Sequence, residues 1–135
     1  MSTEEVVDTV VRDMPFFRRS GGGATLGGGE PTFQPKYALA LLEDLHLRGV
    51  DTAMETCGYG DGDTFLGVAG ATDHVLFDVK QVDTVRHAEL TGVGNESILA
   101  NLAALVKTHP DVTVRYPLIP GYNDGDADLL SLIHI

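Results

Sequence analysis

The sequence predicts an α/β fold built from parallel β/α units. Short apolar runs of strand length alternate with longer segments in which apolar residues recur every three or four positions, giving one helix and then the order β-α-β-α-β-α-β. Strands separated by helices pair in parallel through right-handed crossovers. Each strand also runs into glycine or polar residues at its carboxyl end, where sheets of this kind place their ligands. Four such strands make either a small doubly wound sheet or an arc of a (β/α) barrel. The chain has 135 residues, about one domain.

Residues 2–13 begin the chain as an amphipathic helix. Ser2 and Glu5 have capping-box spacing, and Val6, Val7, Val10 and Met14 share one face. Pro15, two phenylalanines and two arginines then lead into the glycine-rich stretch GGGATLGGGEP, whose centre, Ala24-Thr25-Leu26, is a short strand. The helix from Pro35 to Leu47 has proline at its first position, a stripe of Ala38, Leu41, Leu42 and Leu45, and Gly49 as its stop. Val50 to Thr56 is the second strand, followed by Cys57-Gly58-Tyr59-Gly60 and a short helix over 63–70. His74 to Val79 is a buried strand. Asp83 caps a short helix through Leu90, and Asn95 caps a longer one with Ile98, Leu102, Leu105 and Val106 facing inward and Pro110 ending it. Val112 to Ile119 is the last strand. Residues 122–135 start as a loop and end in the apolar tail LLSLIHI. No repeat recurs at a fixed period and no linker divides the chain.

Composition narrows the function classes. With 43% hydrophobic and 21% charged residues the chain is a soluble globular protein. No apolar run reaches the ~18–20 residues that cross a bilayer, and the acidic start Met-Ser-Thr-Glu-Glu lacks the basic residues of a secretion signal. A cytoplasmic location and no membrane partner are expected. The net charge of −11 disfavours nucleic acid as a partner; it serves solubility or a basic partner surface. Cys57 is the one cysteine, so neither an internal disulfide nor a multi-cysteine metal site can form within the chain. It reads as a small buried residue near a strand end, or as a nucleophile.

The strand ends supply the candidate site. Gly27, Gly28, Gly29 and Glu30 follow the first strand, Glu55 and Thr56 close the second, Asp78 and Lys80 the third, and Arg115, Pro117, Pro120 and Gly121 the fourth. Taken singly, each has a plainer reading. The glycine run lacks the GxxxxGK[ST] phosphate-loop pattern and can be a turn. Asp78 and Lys80, two apart on one strand, share a face and can be a structural ion pair. Glu55 and Thr56 can offer oxygen to a hard cation or cap the chain. His46, His74, His87, His109 and His134 show no shared ligand spacing and read as surface or satisfied core histidines. Four strands delivering such groups to one rim predict a ligand site, the groups spanning roughly 15 Å across neighbouring strands, without naming the ligand.

The string SGGGATLGGGEP at 20–31 resembles SGGGVTLSGGEP of the pyruvate formate-lyase activating enzyme family. ETCGYG at 55–60, LFDVKQVD at 76–83, RHAELTGVGNESILANL at 86–102 and RYPLIPGYND at 115–124 are similar to that family in order and spacing. The resemblance implies a glycyl-radical enzyme activating enzyme of the radical S-adenosylmethionine superfamily, with parallel β/α units forming an arc of a partial (β/α)6 TIM-like barrel. Such enzymes use a [4Fe-4S] cluster to cleave S-adenosylmethionine to a 5′-deoxyadenosyl radical, which takes a hydrogen atom from a glycine of a partner such as pyruvate formate-lyase. The resemblance further implies that Gly28, Gly29 and Glu30 hold the methionyl amino group, that Asp78, Val79 and Lys80 line the cofactor site, that Arg115 adds positive charge there, and that Glu55 and Thr56 help bind a monovalent cation.

Departures from the pattern set further expectations. The family's CxxxCxxC loop lies upstream of the glycine segment, and three iron sites need three thiolates; Cys57 matches a variable family position. Residues 1–124 are expected to be a partial barrel domain without the cluster-binding strand and loop, and 125–135 a truncated or foreign tail. Such a chain is not expected to run radical chemistry alone, and its open sheet edges are expected to self-associate. Two other readings stand beside this one: a non-catalytic module binding S-adenosylmethionine or the partner, and an unrelated α/β phosphate-sugar enzyme. On the leading reading the carboxyl-end groups share one rim, Asp78 and Lys80 point inward, and helices 35–47 and 95–108 cover the outer face through Leu41, Leu45, Leu102 and Leu105.

Overall fold

A computed structural model of the chain describes residues 1–133. Helix α1 (Thr3–Val10) opens with the expected capping box, Ser2 accepting from the Glu5 amide and Glu5 accepting from that of Ser2. A 3-10 turn (Val11–Asp13) then leads into α2 (Met14–Ser20), which the sequence reading left unassigned. Pro15 near its start suits a helix entrance, and Gly21 at φ 70° ends it. Strand β1 (Ala24–Leu26), α3 (Pro35–Leu47), β2 (Thr52–Thr56), α4 (Gly62–Gly70), β3 (His74–Asp78), α5 (Thr84–Thr91), α6 (Glu96–Thr108) and β4 (Val112–Arg115) follow in the predicted order. The fourth strand is shorter than the expected 112–119. Pro117 has no N–H to donate, so the ladder stops there. The tail forms α7 (Asp126–Leu132).

The strands form one parallel sheet in the order β1-β2-β3-β4. Its register sets Leu26 opposite Met54, Met54 opposite Val75, and Asp78 opposite Arg115. Sequential order without reversal is the arrangement of a barrel arc rather than of a doubly wound sheet. Alternation then divides the faces. Met54, Val75, Phe77 and Val79 are buried beneath α4 and α6 with Leu42, Phe65, Ile98, Leu102 and Leu105. The Phe65 and Phe77 rings meet edge to face, 5.9 Å between centroids. A second cluster of Val7, Leu41, Leu45 and Val50 seats α1 on α3. The expected outer-face leucines are all buried, but Val106 is half exposed because it lies to the side of the α6 stripe.

At the amino ends of the strands, histidines tie one entry loop to the next. His74 at the start of β3 bonds Asp111 through Nδ1 at 2.6 Å and Asp51 through Nε2 at 2.8 Å. His46 bonds Asp73 at 2.9 Å and Thr52 at 3.0 Å, and His109 bonds the Thr72 carbonyl at 2.8 Å. His87 is buried and held by the Val93 carbonyl at 2.7 Å. His134 lies outside the described residues.

Candidate functional site

On the face of the sheet opposite α4 and α6, a row of charges crosses the carboxyl ends of the strands. Glu55 on β2 accepts from Arg115 Nη1 at 2.8 Å, Arg115 Nε donates to Asp78 Oδ1 at 2.7 Å, and Lys80 Nζ donates to Asp78 Oδ2 at 2.8 Å. The register produces this, since Asp78 and Arg115 are direct partners across β3 and β4. Asp78 and Lys80 share a face as their spacing requires. Gly27, just beyond β1, completes the row: a Cβ there would stand 3.1 Å from Glu55 Oε2. The row is half open to solvent, with side-chain exposures of 42% for Glu55, 37% for Arg115, 21% for Asp78 and 41% for Lys80. Burial works against the charged form of Asp78, but the hydrogen bonds from Arg115 and Lys80 outweigh it and hold its carboxyl below the usual range. The same contacts, to Asp78 and then Glu55, raise Arg115. Two anions alternating with two cations can receive a zwitterion, exchanging internal pairs for pairs with a ligand's ammonium and carboxylate.

Glu30 stands at the same rim but turns to the other side of β2. Its Oε1 accepts from Thr56 Oγ1 at 2.8 Å and Thr32 Oγ1 at 3.0 Å; its Oε2 accepts from the Cys57 amide at 2.9 Å and Cys57 Sγ at 3.3 Å. With the Thr32 amide at 3.5 Å on Oε1, five protein donors occupy this carboxylate, so Glu30 ties the loop after β1 to the end of β2. Gly28, at φ 102°, and Gly29 have no neighbour within 4 Å of a built Cβ, which leaves the backbone of this turn open to a ligand. Glu55 and Thr56 are adjacent on a strand and point to opposite faces; Thr56 is buried and bound by Glu30. Their side chains are therefore not brought together. Val79, expected at the cofactor site, is buried on the α4/α6 face with its amide on the Arg115 carbonyl at 2.9 Å. Cys57 is partly exposed rather than buried, and burial followed by Glu30 contacts pushes its thiol up. Among the described residues no group of three or more His, Cys, Asp or Glu side chains is arranged to hold a metal ion.

Sequence reasoning missed the asparagines that hold these loops. Asn95 sits at the start of α6, yet its side chain does not cap the helix; its amide donates to the Gln81 and Val82 carbonyls at 2.8 and 2.7 Å. Asn101, in the buried stripe of α6, donates to the Gly58 and Gly60 carbonyls at 2.8 and 3.3 Å. A polar residue on an apolar stripe was a readable signal for this role. The tail was also missed as a helix. Asp128 on α7 is buried and accepts from Gln81 Nε2 at 3.1 Å and Arg86 Nη1 at 2.6 Å, while Arg86 Nη2 donates to the Tyr122 carbonyl. A separate cleft of about 380 Å³ opens between α1, β1 and α3, floored by Val6, Val10, Leu41 and Leu45. It touches the rim at Gly27, Gly29 and Glu30 and contains none of the charged row.

Known proteins resemble this chain in sequence and fold. Residues 1–133 match the model of the radical SAM superfamily. The chain is 45% identical over 133 residues to the isethionate sulfite-lyase activating enzyme of Nitratidesulfovibrio vulgaris, covering 97% of this chain and 43% of that protein. It is 45% identical over 129 residues to the choline trimethylamine-lyase activating enzyme of Oleidesulfovibrio alaskensis, covering 96% and 42%. Against the benzylsuccinate synthase activating enzyme of Thauera aromatica the identity is 37% over 130 residues, covering 96% and 39%. The chain thus spans about two fifths of the length of these relatives. Its fold superimposes on the crystal structure of a domain of pyruvate-formate lyase-activating enzyme from Bacteroides vulgatus with a TM-score of 0.74 and 30% identity, covering 82% of this chain and 69% of that one. The sheet order, the rim at its carboxyl ends and a match over nearly every residue lead to one assignment: this chain belongs to the radical SAM superfamily.

Proposed function

We propose that the chain supplies the S-adenosylmethionine-binding rim of a glycyl-radical enzyme activating enzyme. The observation that carries this reading is the row Glu55–Arg115–Asp78–Lys80 at the carboxyl ends of three parallel strands. The cofactor's methionyl end is a zwitterion, and this donor set suits it: Lys80 and Arg115 for its carboxylate, Asp78 and the open backbone at Gly28 and Gly29 for its ammonium. Glu30 fixes that backbone through Thr56 and Cys57. Val79 lines the site by its main chain alone, since its side chain lies in the core. A monovalent cation here would draw on the Glu55 carboxylate and the Thr56 carbonyl. Bound S-adenosylmethionine is the source of the 5′-deoxyadenosyl radical in this chemistry.

The residues present do not fit a [4Fe-4S] cluster, because three irons need three thiolates and the chain has one. No step through a cluster is therefore assigned to this chain, and we infer that it does not activate a glycyl-radical enzyme unaided. A glycyl-radical enzyme remains the partner proposed for the longer protein. Calorimetric titration with S-adenosylmethionine tests the reading. Binding is expected to be weak, and Asp78→Ala and Lys80→Ala are each expected to lower it by at least about tenfold, since a charge-assisted hydrogen bond contributes roughly 1.5–3 kcal/mol. Equal affinity in wild type and both variants would overturn the assignment.

A further inference from the structure

The strand ladder between β3 and β4 stops in an unusual way. Its last rung runs from the Val79 amide to the Arg115 carbonyl at 2.9 Å. In a parallel pair the next donor on β4 is two residues on, and that residue is Pro117, which has no N–H. Its missing N–H would have met the Val79 carbonyl, so the ladder ends there and Lys80 lies one residue beyond it. The carbonyl of Lys80 is instead taken by a side chain: Asn123 Nδ2 donates to it at 3.0 Å and to the Pro117 carbonyl at 2.9 Å.

Asn123 is fully buried, and its whole amide is used. Its Oδ1 accepts from the Ile119 amide at 2.6 Å, so the loop from Pro117 to Asn123 is wound around its own asparagine. Tyr116 Oη closes the loop further by donating to the Asn123 carbonyl at 3.2 Å. Of these bonds, only the one to Lys80 leaves the loop, and it reaches the backbone of a rim residue. Both donors of one planar amide point at carbonyls just past the two strand ends, so the amide bridges β3 and β4 where the ladder has stopped.

We propose that Asn123 is a positioning residue for Lys80: by gripping the Lys80 carbonyl it fixes the direction in which the ammonium leaves the end of β3 and so keeps it on Asp78. This deepens the reading of the rim as an S-adenosylmethionine site and rests on it for its ligand, but not for its geometry. The contact of Lys80 with Asp78 is seen directly in the structure.

The test begins without ligand. The carboxyl carbon of Asp78 is titrated by NMR in the whole chain, with Arg115, Lys80 and, beyond Arg115, Glu55 as the charged groups around it. Lys80→Ala is expected to move the Asp78 midpoint upward, since one of its two cations is gone. Asn123→Ala is expected to move it in the same direction, and the double variant no further than Lys80→Ala alone. Leu105→Ala, a core change far from the loop, serves as a control for lost stability and should leave the midpoint in place. If Asn123→Ala does not fold, Asn123→Ser, which keeps a shorter polar group, is titrated instead with the same expectation. A folded Asn123 variant with an unchanged midpoint, or a double variant whose shifts add, would make Asn123 a loop staple only and overturn the proposal.

The ligand arm then separates the two claims. Asn123→Ala is expected to weaken S-adenosylmethionine by at least about tenfold, as Lys80→Ala does, while Leu105→Ala leaves affinity unchanged. Unchanged affinity in Asp78→Ala and Lys80→Ala would defeat the S-adenosylmethionine reading while the titration still decides the role of Asn123. Loss of affinity in Lys80→Ala but not in Asn123→Ala would defeat the positioning role and leave the site standing.

Discussion

Gly58→Ala probes how the loop after β2 is held over the core. Gly58 has φ 69°, and a Cβ built there falls inside contact distance of the Phe77 ring, 2.5 Å from Cε2 and closer still to Cζ. Two costs follow. A left-handed conformation costs an L side chain roughly 1–2 kcal/mol, and overpacking a full core costs about 1–3 kcal/mol. Together they predict a loss of roughly 2–5 kcal/mol, a large part of the ~5–15 kcal/mol that holds a domain folded. Phe77 cannot yield easily, being fully buried and set edge to face against Phe65. The loop will move instead, straining the Asn101 bonds to Gly58 and Gly60 and displacing the Cys57 amide from Glu30. The chain has no tryptophan, so urea unfolding is followed by far-ultraviolet circular dichroism. Gly49→Ala is the reference, because Gly49 has φ 72° and no neighbour within 4 Å of a built Cβ, leaving backbone strain alone. Phe77→Leu should relieve part of the clash, making Gly58→Ala less damaging in that background by about 0.5–3 kcal/mol. A Gly58→Ala loss within about 0.5 kcal/mol of the Gly49→Ala loss, with no coupling to Phe77, would refute the packing argument.

Two other outcomes are expected. His74 is raised by its hydrogen bonds to Asp111 and then Asp51, so its contribution to stability is full below its unfolded value near 6.5 and is lost as pH rises through the higher native value; the urea midpoint should fall across that window, and His74→Gln should remove the slope. Asp73 behaves in the opposite sense: burial opposes its charge, but Thr52 and His46 hold it at about 2, so its contribution is present above 3.8 and disappears as pH falls toward 2; Asp73→Asn should flatten the acid limb of the same curve. Among the described residues, the outer edges of β1 and β4 have no strand partner, beside the apolar cleft of Val6, Val10, Leu41 and Leu45 at one end and exposed Val114, Leu118 and Ile119 at the other. Light scattering should show self-association that grows with concentration, and a clean monomer at high concentration would count against edge pairing.

What could be read in the sequence was what depends on period and local chemistry. The capping box of Ser2 and Glu5, the cap at Asp83, the stripes of α3 and α6 and the pairing of Asp78 with Lys80 are all set within a few residues of each other, and the structure repeats them. Register was not readable, and with it the contact of Arg115 with both Asp78 and Glu55. The asparagines show the limit most sharply. Asn95 looked like a helix cap because its type and position fit one, whereas carbonyls 13 and 14 residues away compete for the same amide and win. The contacts of Glu30 with Thr56 and Cys57 were not readable either, because nothing in the sequence places those residues beside it. Helix α7 was obscured by a loop-like start at Pro120-Gly121; its anchor, Asp128, is fixed by Gln81 and Arg86, more than forty residues earlier.

The two ends of the sheet are held by different chemistry, and the difference fits the ligand role proposed for the exit end. At the entry ends, histidines reach between neighbouring loops through carboxylates: His74 to Asp51 and Asp111, His46 to Asp73. Of these, His74 is raised by its hydrogen bonds and Asp73 is held low, against its burial, by Thr52 and His46, so their ties vary in strength with pH. At the exit ends, neutral amides from Asn95, Asn101 and Asn123 grip backbone carbonyls from buried positions. A neutral amide holds its grip at every pH and adds no charge that would compete with Asp78, Lys80 and Arg115 for a ligand. Changes at the entry histidines should therefore move stability without moving ligand affinity, whereas changes at Asn101 or Asn123 should move both, because the same bonds that fold those loops aim the rim.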